Sequence, residues 1–240
     1  IGATDADSNE NNSGSSYVVF GKASGFSATM ELSSLDGSNG FRLDGIAENN
    51  YSGYSVSTAG DVNGDGFDDV IVGASGADLN GYASGSSYVV FGKTSGFDAA
   101  MNLSDLDGSN GFRLDGAAAG DESGWSVSNA GDVNGDGFDD VIVGADRDPF
   151  GISSSYVVLG RASGFDRLLN PMVLSGALGF SGREVSGAGD VNGDGFDDLM
   201  IGAPGGLYED SYNDTFVKVP GYTYIVFGSS DFTGNDVDFP

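Results

Sequence analysis

The nine residues Asp-Val-Asn-Gly-Asp-Gly-Phe-Asp-Asp occur three times without change, at Asp61 to Asp69, Asp132 to Asp140 and Asp190 to Asp198. Within each copy, oxygens recur at alternate positions. Asp61, Asn63 and Asp65 offer side chains, Phe67 offers its backbone carbonyl, and Asp69 closes the set directly or through a water. The second copy repeats this with Asp132, Asn134, Asp136, Phe138 and Asp140, the third with Asp190, Asn192, Asp194, Phe196 and Asp198. Hard oxygen donors in this number suit Ca²⁺, and the sixth position is a glycine, where the chain must turn sharply to bring every oxygen inward. Three Ca²⁺ sites are therefore expected.

Two other readings fit less well. Asp, Asn and Gly dominate ordinary turns, but a turn does not require nine identical residues three times over. An EF-hand needs a bidentate Glu at its twelfth position and a helix on each side. Val72, Val143 and Ile201 stand at that position. The flanks, such as Tyr54-Ser-Val-Ser-Thr58 and Val70-Ile-Val72, alternate or run apolar like strands. Each loop is thus expected to join two strands.

The loops lie 71 and 58 residues apart, and the same units return around each in order. One strand leads in (Tyr54 to Thr58, Trp125 to Asn129, Glu184 to Gly187), and a second leads out to Gly73-Ala74, Gly144-Ala145 and Gly202-Ala203. A third reads Ser87 to Gly92, with relatives at Ser16 to Gly21, Ser155 to Gly160 and Thr223 to Gly228; a fourth is suggested at Gly40 to Gly45 and Gly111 to Gly116. Four short antiparallel strands per period of this size describe one propeller blade. Val18, Val89, Val157 and Ile225 read as core-facing strand positions.

On these residues the chain resembles the FG-GAP repeats that build the β-propeller of integrin alpha subunits and of many bacterial surface proteins. Phe20-Gly21, Phe91-Gly92 and Phe227-Gly228 give the first half of that name, and the Gly-Ala pairs the second. Only Gly202-Ala203-Pro204 has the full second half, and Leu159-Gly160 replaces Phe-Gly in one repeat. The resemblance covers nearly the whole chain. It implies an all-β fold of four-stranded antiparallel blades, with Ca²⁺ held between the first two strands of a blade by the fifteen positions already named.

An integrin propeller has seven blades, whereas 240 residues suffice for about four. We expect one propeller-like domain over 1–240, in approximate blades 1–46, 47–117, 118–178 and 179–240. Ile1-Gly2-Ala3 matches the end of a second strand, so the first blade is incomplete. Asp231 to Pro240 reads as a weak final strand. Residues 15–45 and 86–116 are nearly the same sequence, the mark of blade duplication, while Arg161 to Ala177 diverges and is expected to alter an outer strand.

The net charge is −27, with 36 Asp and Glu against 9 Lys and Arg, which disfavours nucleic acid and anionic membranes as partners. No signal peptide and no membrane-spanning apolar run is found, so the sequence reads as a mature product or an excised fragment. With no His and no Cys, the commonest general base, the thiol nucleophile and any disulfide are missing. Asp68-Asp69, Asp139-Asp140 and Asp197-Asp198 are carboxylate pairs that a glycosidase could use. Their place in repeated loops argues instead for one ligand and one solvated charge. Trp125 takes the place of Tyr54, with packing favoured over sugar stacking. Asp5-Ala-Asp7-Ser-Asn9 lacks the turn glycine and reads as a solvated loop.

The expected function is that of a secreted calcium-binding structural or adhesive repeat protein, extracellular or at the cell surface. It would self-associate head-to-tail or sit in a longer chain, and its calcium loops would act independently. The alternative is an integrin-like module recognising an extracellular protein or glycan. No enzymatic activity and no membrane insertion are expected.

Overall fold

Runs such as Ser86-Ser-Tyr-Val-Val90 join β-branched and aromatic residues, favoured on a pleated surface, to small residues that let neighbouring backbones approach. Between them lie Gly, Asn and Asp clusters that supply turns. A computed structural model describes residues 1–94, 96–146, 154–166, 168, 172–176, 182–203, 205–210, 215–232 and 237–239. Its strands are, in the first repeat, β1 (Gly2–Ala3), β2 (Ser15–Val19) and β3 (Gly40–Asp44). The second holds β4 (Ser55–Gly60), β5 (Asp69–Ala74), β6 (Ser86–Val90), the short β7 (Ala100–Asn102) and β8 (Gly111–Asp115). The third holds β9 (Ser123–Gly131), β10 (Asp140–Ala145), β11 (Ser154–Val158) and β12 (Met172–Gly176). The fourth holds β13 (Glu184–Gly189), β14 (Asp198–Ala203), β15 (Gly206–Asp210), β16 (Thr215–Val219), β17 (Tyr222–Val226) and β18 (Val237–Phe239). Among the described residues there is no α-helix, only 3₁₀ turns at Leu32–Ser34 and Leu103–Asp105. No described helix is long and apolar enough to cross a membrane.

The first repeat contributes β1-β2-β3 and the fourth β13-β14-β17, and in the second and third repeats four strands pair antiparallel in order, as β4-β5-β6-β8 does in the second sheet. This is the four-stranded blade expected from the repetition. Successive sheets stack face to face because residues alternate between faces with period two. In the second sheet Val72, Ala74, Tyr88 and Val90 pack toward Phe41 and Leu43 of the first. Ile71, Val89, Phe112 and Leu114 pack toward Val141, Val143 and Tyr156 of the third. The other face of the third sheet, through Ile142, Val157 and Leu174, packs on Leu199 and Ile201 of the fourth.

Four features were not foreseen. β7, from the connection before β8, adds in parallel to β3 of the preceding sheet. β18 adds in the same way to β12, and Leu168 forms a parallel bridge with Arg113 of β8. The outer edges of the first three sheets thus each receive a segment of the following repeat, which covers donors and acceptors that would otherwise be free to pair with other chains. The final strand expected within Asp231 to Pro240 is therefore present at Val237–Phe239, but it completes the third sheet rather than its own; positions 233–236 and Pro240 lie outside the described residues. The hairpin β15–β16 interrupts the fourth repeat between its second and third strands.

The divergent third repeat still forms its outer strand, β12, against β11. Val173 and Ser175 stand at the register where the first two repeats place ion pairs, Arg42 with Asp44 and Arg113 with Asp115, each at 2.7 Å. Val89 and Val157 are buried as expected, but Ile225 is 45% exposed, because no described sheet covers that face of the fourth. Pro204 of the Gly-Ala-Pro motif lies outside the described residues.

Candidate metal centres

The antiparallel order fixes which connections share an end. The loops at 61–69, 132–140 and 190–198 join the first and second strands of three sheets and lie together at one end. The connections from second to third strand, and from one sheet to the next, lie at the other.

Each loop is built by its own side chains. Gly66, Gly137 and Gly195 take φ of 89°, 89° and 94°, a left-handed conformation that a Cβ disfavours. Asp61 accepts the N–H of Asp65 at 3.0 Å and of Gly66 at 2.9 Å, Asn63 accepts the Asp65 N–H at 2.8 Å, and Asp65 accepts the Phe67 N–H at 2.9 Å. The other two loops repeat these bonds through Asp132, Asn134 and Asp136, and through Asp190, Asn192 and Asp194. Backbone donors, led by the Gly195 N–H, hold the Asp190 carboxyl below the usual range.

The ninth residue lies deeper. Asp69, Asp140 and Asp198 are buried and form the floor of each loop. Asp69 accepts N–H bonds from Val62 at 3.1 Å and Gly92 at 2.7 Å; Asp140 accepts from Val133 and Gly160, and Asp198 from Val191 and Gly228. Burial pushes the Asp69 and Asp140 carboxyls up to about 7, the two backbone donors pull each back, and the like charges at positions one and five push the same way as burial. A buried carboxylate facing two more acids, with an amide oxygen alongside, is a donor set that a hard divalent cation would neutralise. Among the described residues no three acids converge as they stand.

Neighbouring loops are tied together. Asp139, the eighth residue of the second loop, accepts the N–H of Asp61 at 2.7 Å, and Asp197 of the third accepts that of Asp132 at 2.9 Å. The return bonds run from the Asp139 N–H to the Asp61 carbonyl and from the Asp197 N–H to the Asp132 carbonyl. At Gly64 and Gly135 a Cβ would meet carbons of the Phe138 and Phe196 rings of the next loop at 2.4 and 2.5 Å. Asp139 and Asp197 are therefore not the solvated members of their pairs, and the loops are not structurally independent. Identical repeats hid this link, because it joins copies rather than lying within one.

Asp7 and Asn9 serve as struts. Asp7 accepts the Asn12 N–H at 2.8 Å and Asn9 donates to the Gly45 carbonyl at 2.6 Å, as Asp78 and Asn80 do for Ala83 and Gly116 one repeat later. Trp125 packs, as favoured, in a ladder of equivalent positions. Tyr54 lies at 4.5 Å between centroids on one side, and the Arg183 guanidinium lies 5.0 Å from the ring.

The FG-GAP repeat family model matches three stretches, residues 52–90, 123–158 and 181–224. The chain belongs to the FG-GAP repeat family. Each match begins near the first strand of a sheet and takes in a complete acidic loop. Among curated proteins, integrin alpha-PS5 of Drosophila melanogaster is 38% identical over 164 residues, 65% of this chain and 15% of that protein. Integrin alpha-8 of Gallus gallus is 31% identical over 168 residues, 65% of this chain and 14% of that protein. Integrin alpha-PS3 of Drosophila melanogaster is 35% identical over 164 residues, 64% of this chain and 13% of that protein. The FG-GAP chain thus spans about one seventh of the length of these relatives, and its sheets are FG-GAP propeller blades.

Proposed function

We propose that this FG-GAP chain is a calcium-stiffened propeller segment of an extracellular or cell-surface protein, and that it recognises a ligand at the end away from its acidic loops. The observation that carries this is the division of labour between the two ends. Three near-identical oxygen-lined loops are braced against one another at one end, while the connections at the other end differ from repeat to repeat and bear exposed aromatic residues, Tyr82 at 83% and Tyr54 at 41%. A rigid scaffold with variable loops on one face is a common arrangement for recognition. The integrin relatives support this reading. Asp61, Asn63, Asp65, Phe67 and Asp69, with their counterparts in the other two loops, would hold one Ca²⁺ each; the reading needs no catalytic group.

Calorimetric titration of the chelated protein should give three Ca²⁺ per chain, and none would overturn the calcium assignment. Asp139→Ala should weaken binding at the first loop about tenfold, as losing a second layer of support does at metal sites, because the Asp61 N–H loses its acceptor. Asp68→Ala is the control, since no described loop precedes the first. Equal affinities in both variants and the parent would show that the bracing does not reach the metal.

The blade face left open by the fourth sheet favours a second reading, self-association. Met200, Ile225 and Phe227 are 39%, 45% and 56% exposed, whereas the equivalent Ile71, Val89 and Phe91 are at 0%, 0% and 7%. A second copy could cover this face through a heterologous, head-to-tail contact, more readily with Ca²⁺ bound because three cations reduce the charge of −27 to −21. Sedimentation velocity in millimolar Ca²⁺ separates the two. One species at every concentration is expected for the recognition module, and growth with concentration for the self-associating protein.

A further inference from the structure

At the end away from the acidic loops, a cleft of about 530 Å³ opens between three connections, with Tyr51, Tyr54, Tyr82 and Trp125 on its walls. These rings are not in the three core clusters, so burial of the core does not explain them. The backbone around them is unusual. Asn49, Tyr51, Ala83 and Glu122, all lining the cleft, hold φ of 58°, 52°, 47° and 50°, and among the described residues only Asn12 shares this with them outside glycine. Residues with a Cβ in this conformation are strained, and such strain gathers where a site is held in shape.

The chemistry of the walls is mixed. Glu48, Asp78 and Glu122 bring carboxylate acceptors, and Asn49 an amide. Arg183 already covers Trp125, its guanidinium 5.0 Å from the ring and 3.2 Å from Asp146. The cation that an indole face attracts is thus supplied by the chain itself, which leaves the tyrosine faces for uncharged matter. A net charge of −27 repels acidic ligands.

We propose that this cleft binds a neutral oligosaccharide, with sugar C–H faces on Tyr54 and Tyr82 and sugar hydroxyls bonded to Glu48, Asp78, Glu122 and Asn49. A sugar hydroxyl both donates and accepts, so it can be satisfied by carboxylates and amides alike, while the apolar face of the ring needs a flat partner. Flat aromatic walls with a few fixed polar groups meet both needs. The inference rests on the recognition reading above and names its ligand class.

Trp125 is the only tryptophan, so its emission reports on the cleft. The intact chain in millimolar Ca²⁺ is titrated with chitotriose, cellotriose and maltotriose, and in parallel with tri-arginine. At least one trisaccharide should give a saturable change in emission. Tyr82→Ala should weaken that binding about tenfold, the scale of one lost aromatic contact, without lowering the melting temperature, because Tyr82 is 83% exposed. Saturation by tri-arginine alone overturns the saccharide assignment and leaves a recognition module for basic peptides. No response to any probe overturns the inference, and if sedimentation also shows growth with concentration, the recognition reading falls with it.

Discussion

Chelating calcium should lower the melting temperature by roughly 15–30 °C. Each loop carries three carboxylates, Asp61, Asp65 and Asp69 in the first, and the last of these is buried and pushed up to about 7 by burial and by its neighbours. Without a cation that repulsion opposes the loop. A ligand that binds only the folded form at 100 times its dissociation constant adds about 2.7 kcal/mol per site, so three sites add about 8 kcal/mol. For a domain of this size each kcal/mol moves the midpoint by roughly 2–4 °C. Differential scanning calorimetry with 10-fold steps of free Ca²⁺ tests this directly. A midpoint that ignores calcium would remove the cations from the fold altogether.

The second large effect concerns the packing between blades. Phe112 is fully buried, stacked on Phe165 at 5.0 Å between centroids and set edge-on to Phe91 at 5.9 Å. It stands where the second and third sheets meet, and both of its ring partners come from the connections that follow third strands. Phe112→Ala should cost about 3–5 kcal/mol, the usual range for a buried phenylalanine, because the packed sheets cannot collapse to fill the void. That corresponds to a fall of roughly 6–20 °C in the midpoint. Phe26→Ala is the contrasting variant, since Phe26 is 55% exposed and should change stability little. Equal melting curves for the two variants would show that the sheets do not rely on this contact.

Local chemistry was legible in the chain. The strands around each loop follow from alternating residues, and the loops from Asp, Asn and Gly at fixed offsets, because these depend on neighbours a few positions away. The bonds that the first, third and fifth residues of a loop accept from the N–H groups of its fifth, sixth and seventh recur in all three copies, as identical sequences in the same local frame require. Even Trp125 could be placed by its register with Tyr54.

What the sequence determined by itself was therefore the unit: an all-β blade and its acidic loop. Only the tertiary structure decided how units meet. It set β7 and β18 against the outer edges of preceding sheets, turned Asp139 and Asp197 into braces for the neighbouring loop, and gathered Tyr51, Tyr54 and Tyr82 from two connections into one cleft. The repeat pattern predicts what each copy does alike. Contacts between copies depend on the angle and spacing at which blades stack, which no local run of residues encodes, since they are set by the volumes of side chains such as Phe112 and Tyr88 filling the space between sheets.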